Sequence, residues 1–346
     1  MYPGGNRMSV TLNSDYLVPS DNYAGTMNGT VLPWLQERQQ EKTVSGFEGR
    51  PLYAVSYHAE NPVGTVLIVH GFTENAYKYA ELIWSLLHLR FSVVAYDQRG
   101  HGRSWRADGI PDASITHVDR FQEYVEDLRI ICETFRSNMP EPFLVFAHSM
   151  GGAVTSLFLE QFPGVFSAAV LSSPMIAPCV GGVPFPLASM LASAAGFAGM
   201  QKHKPFFMKT YAGPEDFSTS CATDPNRFAW YDQVKASRRD FQNSVPSWRW
   251  SYESIHVTER ILAPGQPEKI DCPVLLFTAG TDSSVLPGPQ EAFISRIRQG
   301  KHVLVMNARH EIFRSTDDVL FPWWHETITF FRAAVPTNQI EGGSRP

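Results

Sequence analysis

A chain of 346 residues, 43% hydrophobic and only 18% charged, can bury a large core, as one α/β domain with an insertion or as two modest domains. Its formal net charge of −5 gives no reason to expect nucleic acid as a partner. The N-terminus shows no basic stretch followed by an apolar one, and no run of about 18 apolar residues occurs, so neither a secretory signal nor a membrane span is expected. The cysteines Cys132, Cys179, Cys221 and Cys272 are scattered without metal-ligand spacing and read as free thiols of a cytoplasmic protein. A bridge between Cys179 and Cys221 stays open.

Residues 1–32, rich in Gly, Asn and Ser, keep no sustained period and read as a loosely packed arm. From Thr43 to Tyr57 two extended runs flank Glu48-Gly49-Arg50, an antiparallel hairpin at a sheet edge. Val66-Leu67-Ile68-Val69 is a buried strand leading into His70-Gly71-Phe72, and Tyr79, Leu82, Ile83, Leu86 and Leu87 mark an amphipathic helix. Val93–Tyr96 is the next strand, ending in the loop Asp97-Gln98-Arg99-Gly100-His101-Gly102. A long helix carries Phe121, Tyr124, Val125, Leu128, Ile131, Cys132 and Phe135. Further strands fall at 143–146, 168–171, 274–277 and 303–305, and a last helix carries Trp323, Ile328 and Phe331. Strands apolar on both faces, alternating with helices, specify a mostly parallel sheet covered on both sides. The core is therefore assigned to 33–173 and 268–336, an inserted cap to 174–267, and a flexible tail to 337–346.

Phe143-Leu144-Val145-Phe146-Ala147-His148-Ser149-Met150-Gly151-Gly152 is a strand, a sharp turn and the start of a helix, with Ser149 at the apex. Small residues two places either side, Ala147 and Gly151, suit a turn in which strand and helix backbones nearly touch. A serine hydroxyl becomes a useful nucleophile when a base removes its proton and a third group orients that base. Asp282 follows the strand ending at Phe277, and His310 follows the strand ending at Val305, both at the sheet edge where ligands gather in open α/β sheets. Asp271 precedes its strand and faces the wrong end; Glu311 reads as a loop support, and His148 points away from the serine along its strand. His101 reads as backbone-bonded in its glycine loop and His325 as structural. Two N–H donors for a developing oxyanion are expected from Phe72 and from Met150 at the helix start. Gly71 lets the backbone come close, and His70 supports that loop.

These segments, with Tyr96–Ser104, Gly280-Thr281-Asp282 and His310-Glu311, resemble the monoacylglycerol lipase and lysophospholipase branch of the α/β-hydrolases. That family more often has glycine where Ala147 stands. The resemblance runs from about Pro33 to Arg332 and is weakest in the insertion. It implies an α/β-hydrolase fold with a helical cap and a serine hydrolase cleaving carboxylic esters of single-chain lipids, lysophospholipid or monoacylglycerol, through an acyl-serine intermediate. Ser149, Asp282 and His310 would form the triad, Phe72 and Met150 the oxyanion hole, with no metal or cofactor. A peptidase or C–C bond hydrolase of the same fold and a non-catalytic lipid-binding relative remain alternatives. The insertion is apolar in its first half (Val183, Phe185, Leu187, Met190, Leu191, Phe197, Met200) and aromatic in its second (Phe228, Trp230, Tyr231, Trp248, Trp250). Its inner face is expected to form an acyl tunnel and its lip to touch a membrane, while its lysines and arginines read mainly as a solvated face.

Overall fold

The computed structural model describes residues 16–337. The chain first forms short helices α1 (Tyr23–Thr26) and α2 (Leu32–Gln36), joined by a π turn over Met27–Val31. Strands β1 (Gln40–Ser45) and β2 (Pro51–Tyr57) pair antiparallel, the turn between them carrying positive φ at Glu48 and Gly49, as the hairpin reading requires. Then follow β3 (Gly64–Val69), α3 (Ala80–His88), β4 (Phe91–Tyr96), the short β5 (Ile115–Thr116), α4 (Gln122–Arg136), β6 (Phe143–His148), α5 (Met150–Gln161) and β7 (Ala168–Ser172). The inserted segment holds α6 (Phe185–Phe197), α7 (Pro225–Ser237), the short β8 (Val245–Pro246) and α8 (Trp248–Ile261). The chain closes with β9 (Val274–Ala279), α9 (Pro287–Ile294), β10 (Gly300–Val305) and α10 (Asp317–Ala333).

Eight strands form one sheet in the order β1-β2-β4-β3-β6-β7-β9-β10, with β2 antiparallel to both its neighbours and every other pair parallel. All six residues of β3, β4, β6 and β9 are buried, which is why these strands read as uninterrupted apolar runs. Leu67, Val69, Leu144 and Phe146 exchange water for packed neighbours on both sheet faces, each contributing roughly 1.5–3 kcal/mol. Strand order reverses between β3 and β6: β4 lies beyond one and β7 beyond the other. The crevice at their carboxyl ends is the topological switch point, where open α/β sheets place their ligands.

Three features differ from the sequence reading. Residues 16–32 are no loose arm: Leu17, Val18, Tyr23, Met27 and Val31 are buried in the main core, while 1–15 lie outside the described residues. Their contacts come from α3, α7 and α10, elements far away in the chain, so no local period announces them. The last strand, β10, is a sheet edge with Leu304 half exposed, because only β9 flanks it. In the insertion, the aromatic half packs inward, with Trp230 and Tyr231 in one core cluster and Trp250 in the other. The apolar half faces out instead of lining a tunnel: α6 packs on α8 with Ala192 as its one buried residue, and its larger side chains lie outside. The tail assigned to 337–346 lies outside the described residues but for its first.

Candidate active site

β6 delivers Ser149 at φ 51°, ψ −117°, a backbone conformation that side-chain-bearing residues avoid and that stores about 1–3 kcal/mol of strain. Three hydrogen bonds hold it: Ser149 N–H donates to Ser172 O (3.1 Å), and Ser149 O accepts from Met175 (2.8 Å) and Ala153 (3.2 Å). Gly151 is required by sterics, since a Cβ there would lie 2.2 Å from Val69 O and 2.5 Å from His70 O. Ala147 is fully buried, its methyl part of the core below the turn, so the departure from glycine is accommodated.

The side chains predicted for one site meet in one site. Ser149 Oγ lies 2.8 Å from His310 Nε2, and His310 Nδ1 lies 2.7 Å from Asp282 Oδ2. Asp282 Oδ1 accepts from the N–H groups of Ser284 (2.8 Å) and Val285 (3.1 Å). Burial alone would raise the Asp282 carboxyl, but the His310 contact and those two N–H groups outweigh it and hold it below the usual carboxylate range. A carboxylate at Nδ1 keeps the proton there and leaves Nε2 free to accept from the serine. Ser149 and His310 are each 6% exposed, so the relay is largely shielded from solvent. Chemically, the arrangement can take a proton from the serine and stabilise the imidazolium that results.

Phe72 sits on the loop after β3, and Met150 is the first residue of α5, so its N–H has no acceptor within that helix. β3 and β6 pair directly, with Val69 opposite Ala147, which brings the two loops side by side. Thr73, next to Phe72, has φ 62°, an uncommon value for a β-branched residue. His70 locks the loop, its Nδ1 2.7 Å from Gly71 O and its Nε2 accepting from Gln98 N–H at 2.9 Å. The Phe72 ring packs 4.1 Å from that of Trp250 on α8, tying the loop to the insertion.

Behind this site lies a buried charge cluster that the sequence does not announce. Glu74 accepts from Gly71 N–H (2.6 Å), Tyr79 Oη (2.6 Å) and Lys78 Nζ (3.0 Å), and Lys78 Nζ also reaches Glu311 (2.6 Å). Arg314 closes the cluster on Glu311 at 2.6 Å. Burial disfavours the charge on Glu74, yet Lys78 and His148 hold its carboxyl well below the usual range. Glu311 therefore supports the loop, as expected, and it is Asp282 that faces His310 Nδ1. The spacings Glu74–Lys78 and Glu311–Arg314 are visible as i,i+4 and i,i+3 pairs, but nothing in the sequence brings the two pairs together. His101 Nδ1 meets Arg99 O at 3.1 Å, the backbone partner expected for it. All four cysteines are free, so the Cys179–Cys221 bridge is not formed; Cys221 Sγ lies 3.6 Å from Ser284 Oγ. Among the described residues, no group of three or more His, Cys, Asp or Glu side chains is disposed to hold a metal ion.

The family model described as serine aminopeptidase, S33 matches residues 60–317, most of the chain. The chain belongs to that family. Lysophospholipase L2 of Escherichia coli K12 is 29% identical over 325 residues, covering 89% of this chain and 91% of that protein. The monoacylglycerol lipase of Mycolicibacterium smegmatis is 32% identical over 140 residues, 40% of this chain and 48% of that protein. Among solved structures, a soluble variant of the monoglyceride lipase of Saccharomyces cerevisiae superposes with a TM-score of 0.64 at 19% identity, covering 86% of this chain and 96% of that one. That likeness establishes the fold of this S33-family hydrolase as the α/β-hydrolase fold. Among the described residues no helix is long and apolar enough to cross a membrane.

Proposed function

We propose that the protein is a serine carboxylester hydrolase acting on single-chain lipid esters, with lysophospholipid preferred to monoacylglycerol. The observation that carries the reading is the continuous relay Ser149 Oγ–His310 Nε2, His310 Nδ1–Asp282 Oδ2, at 2.8 and 2.7 Å. Ser149 attacks the ester carbonyl as His310 takes its proton, and the Phe72 and Met150 N–H groups receive the developing oxyanion. Collapse transfers the proton from His310 to the departing alcohol. Water, activated by the same imidazole, then releases the acyl group from Ser149. Asp282 stays ionised and stabilises the imidazolium in both halves.

The preference for lysophospholipid rests on a cavity of about 830 Å³ bordered by Thr73, the neighbour of Phe72, and Glu311, the neighbour of His310. Its wall carries four basic side chains (Lys78, Lys209, Lys235, Arg314) and four acidic ones (Glu215, Asp216, Asp232, Glu311). Among the described residues Lys209, Asp216 and Asp232 form no ion pair, leaving charges of both signs, one basic and two acidic, for a zwitterionic headgroup. Glycerol has no use for either. The name of the E. coli relative supports the same choice. The segment 174–267 acts in this reading as the cap over the site.

A fluorophosphonate probe should label wild-type protein and spare Ser149→Ala. With labelling secured, turnover on lysophosphatidylethanolamine, monoacylglycerol, p-nitrophenyl esters and aminoacyl naphthylamides ranks the substrates. Cleavage of the naphthylamides alone would replace ester hydrolysis with the peptidase reading that the family description suggests. No labelling at all would remove the mechanism.

A further inference from the structure

We infer that the cavity between the N-terminal segment, the β1–β2 hairpin and the insertion is a non-catalytic binding site for a medium-chain carboxylate. It encloses about 270 Å³, at the small end for a ligand pocket. None of the residues lining it belongs to the Ser149 relay or to the wall of the larger cavity beside Glu311. Its floor is apolar: Leu35, Val55, Ala80 and Ile83, all buried, are supplied by α2, β2 and α3. An alkyl chain laid on that floor leaves water for packed neighbours.

Unspent hydrogen-bonding capacity decides what head group the chain must carry. The two acids on the wall are already engaged. Glu41 Oε1 accepts from Arg103 Nη2 (2.7 Å) and Tyr53 Oη (3.0 Å), and the Asp97 carboxylate accepts from the N–H groups of Ala76 (2.7 Å) and Arg103 (2.8 Å). The donors are not. Tyr57 is only 6% exposed, yet among the described residues its hydroxyl has no hydrogen-bond partner, and packing does not seal that oxygen in. Burial raises its phenol, so the hydroxyl keeps a proton to donate. Arg103 spends one nitrogen on Glu41 and Arg238 one on Asp240, which leaves the other N–H groups of both guanidiniums at the cavity. Aromatic rings hold both cations in place, Arg103 lying 3.4 Å over Tyr53 and Arg238 4.0 Å over Phe241, so little ordering is needed when a ligand arrives. A buried phenol and two guanidinium forks above an apolar floor match an anionic oxygen head on a short alkyl chain. An ammonium head would meet two cations and find both carboxylates occupied.

The cavity also abuts the support of the Phe72 loop. Ala76, on its wall, follows that loop, and Gln98, next to Asp97, bonds both His70 Nε2 and His70 O. A carboxylate is the class of molecule that the proposed ester cleavage releases. As a site for product the cavity rests on that reading; as a binding site it does not.

Isothermal titration calorimetry of the full chain tests the site, with octanoate, 1-octanol and octylammonium as probes. Octanoate should bind, and the alcohol and the amine should bind at least about tenfold more weakly, since neither can accept charged hydrogen bonds from the two arginines. Arg103→Gln with Arg238→Gln should weaken octanoate binding by about 100-fold, roughly tenfold for each cation. Tyr57→Phe keeps the ring and removes only the donor, and should cost about fivefold. Glu41→Gln should tighten binding instead, because it frees Arg103 and removes a like charge. All of these variants should hydrolyse p-nitrophenyl acetate at the wild-type rate in the absence of octanoate. Equal octanoate affinity in wild type, the arginine variant and Tyr57→Phe would overturn the inference. So would the absence of binding to wild type, or 1-octanol binding as tightly as octanoate. The heat is read without turnover, so a failure of ester hydrolysis and a failure of binding are told apart.

Discussion

His148 adjoins Ser149 in the sequence, yet its ring serves His310: Nε2 lies 3.2 Å from the His310 carbonyl and Nδ1 lies 3.2 Å from Glu74 Oε2. Both ring nitrogens face acceptors, which suits the doubly protonated imidazolium. Burial would lower its affinity for the proton, but the Glu74 charge and hydrogen bond, with Glu311 behind them, raise it above the ordinary histidine value despite nearby Lys78. Glu74 also holds Gly71 N–H, so one imidazole links the loop of Phe72 to the loop of His310. His148→Ala should reduce kcat for a soluble ester by about 10- to 100-fold with little change in KM, because it loosens the reacting groups and not the substrate contacts. Steady-state kinetics on the folded variant checks this; a change in KM alone would place His148 at the substrate instead.

Ser149 carries the strain of a positive φ, which glycine tolerates. Ser149→Ala should lower ester turnover by several orders of magnitude, roughly as in other triad knockouts, with folding intact. Ser149→Gly should be equally inactive and yet more stable than Ser149→Ala by about 1 kcal/mol. Urea denaturation of the two variants side by side gives the comparison.

Gly151 has no room for a side chain. A methyl group would meet the backbone carbonyls of Val69, the last residue of the central strand β3, and of His70, which follows it and is held by Gln98, so neither can withdraw. Gly151→Ala should therefore destabilise by at least about 3 kcal/mol and abolish activity. Gly164→Ala, at a positive-φ glycine with open space around it, should fold and work. Thermal melts and activity of the pair separate a general intolerance of alanine from the close approach at the elbow.

Glu160 on α5 is 4% exposed, and its Oε1 has no hydrogen-bond partner. Burial pushes its carboxyl up to about 8, with Lys269, Arg296 and Arg260 opposing weakly. The folded state then binds the proton more tightly than the unfolded chain does. The native carboxyl thus remains neutral while the unfolded one ionises, and stability falls as pH rises from the ordinary glutamate value towards 8. Glu160→Gln should flatten that fall and be the more stable protein above pH 8, by up to roughly 3–5 kcal/mol. Melting temperatures of both proteins across that range are the check; parallel curves would show that Glu160 does not titrate in this window.

Arg227, fully buried on α7, binds Glu81 of α3 (3.2 Å), Asp224 (3.2 Å), Asp317 of α10 (2.8 Å) and the carbonyl of Val18 (2.6 Å). It joins the N-terminal segment, the core and the insertion at one point. Arg227→Met would strand Glu81 and Asp224 without a counter-charge and should destabilise by about 3–5 kcal/mol. Proteolysis near residues 16–32 should rise in step, and unchanged protection would separate the segment's docking from this cation.

The sequence by itself determined the alternation of elements, the turn at Ser149 and the carboxyl-edge positions of Asp282 and His310. These were legible because a strand buried on both faces writes itself as an apolar run, and in a parallel sheet whatever follows such a run arrives at one edge. Gly151 was legible too, as the small residue a tight turn needs. What only the tertiary structure decided are contacts between segments that carry no mutual signal. Glu74, Lys78, Glu311 and Arg314 lie more than two hundred residues apart as two pairs, and a buried charge cluster has no period. The docking of residues 16–32 is of the same kind, fixed by Arg227 and by partners from α3, α7 and α10. The outward face of α6 was hidden for a related reason: an apolar helix reads alike whether its large side chains meet a core or the solvent, and only the packing of Ala192 toward α8 shows which way it turned.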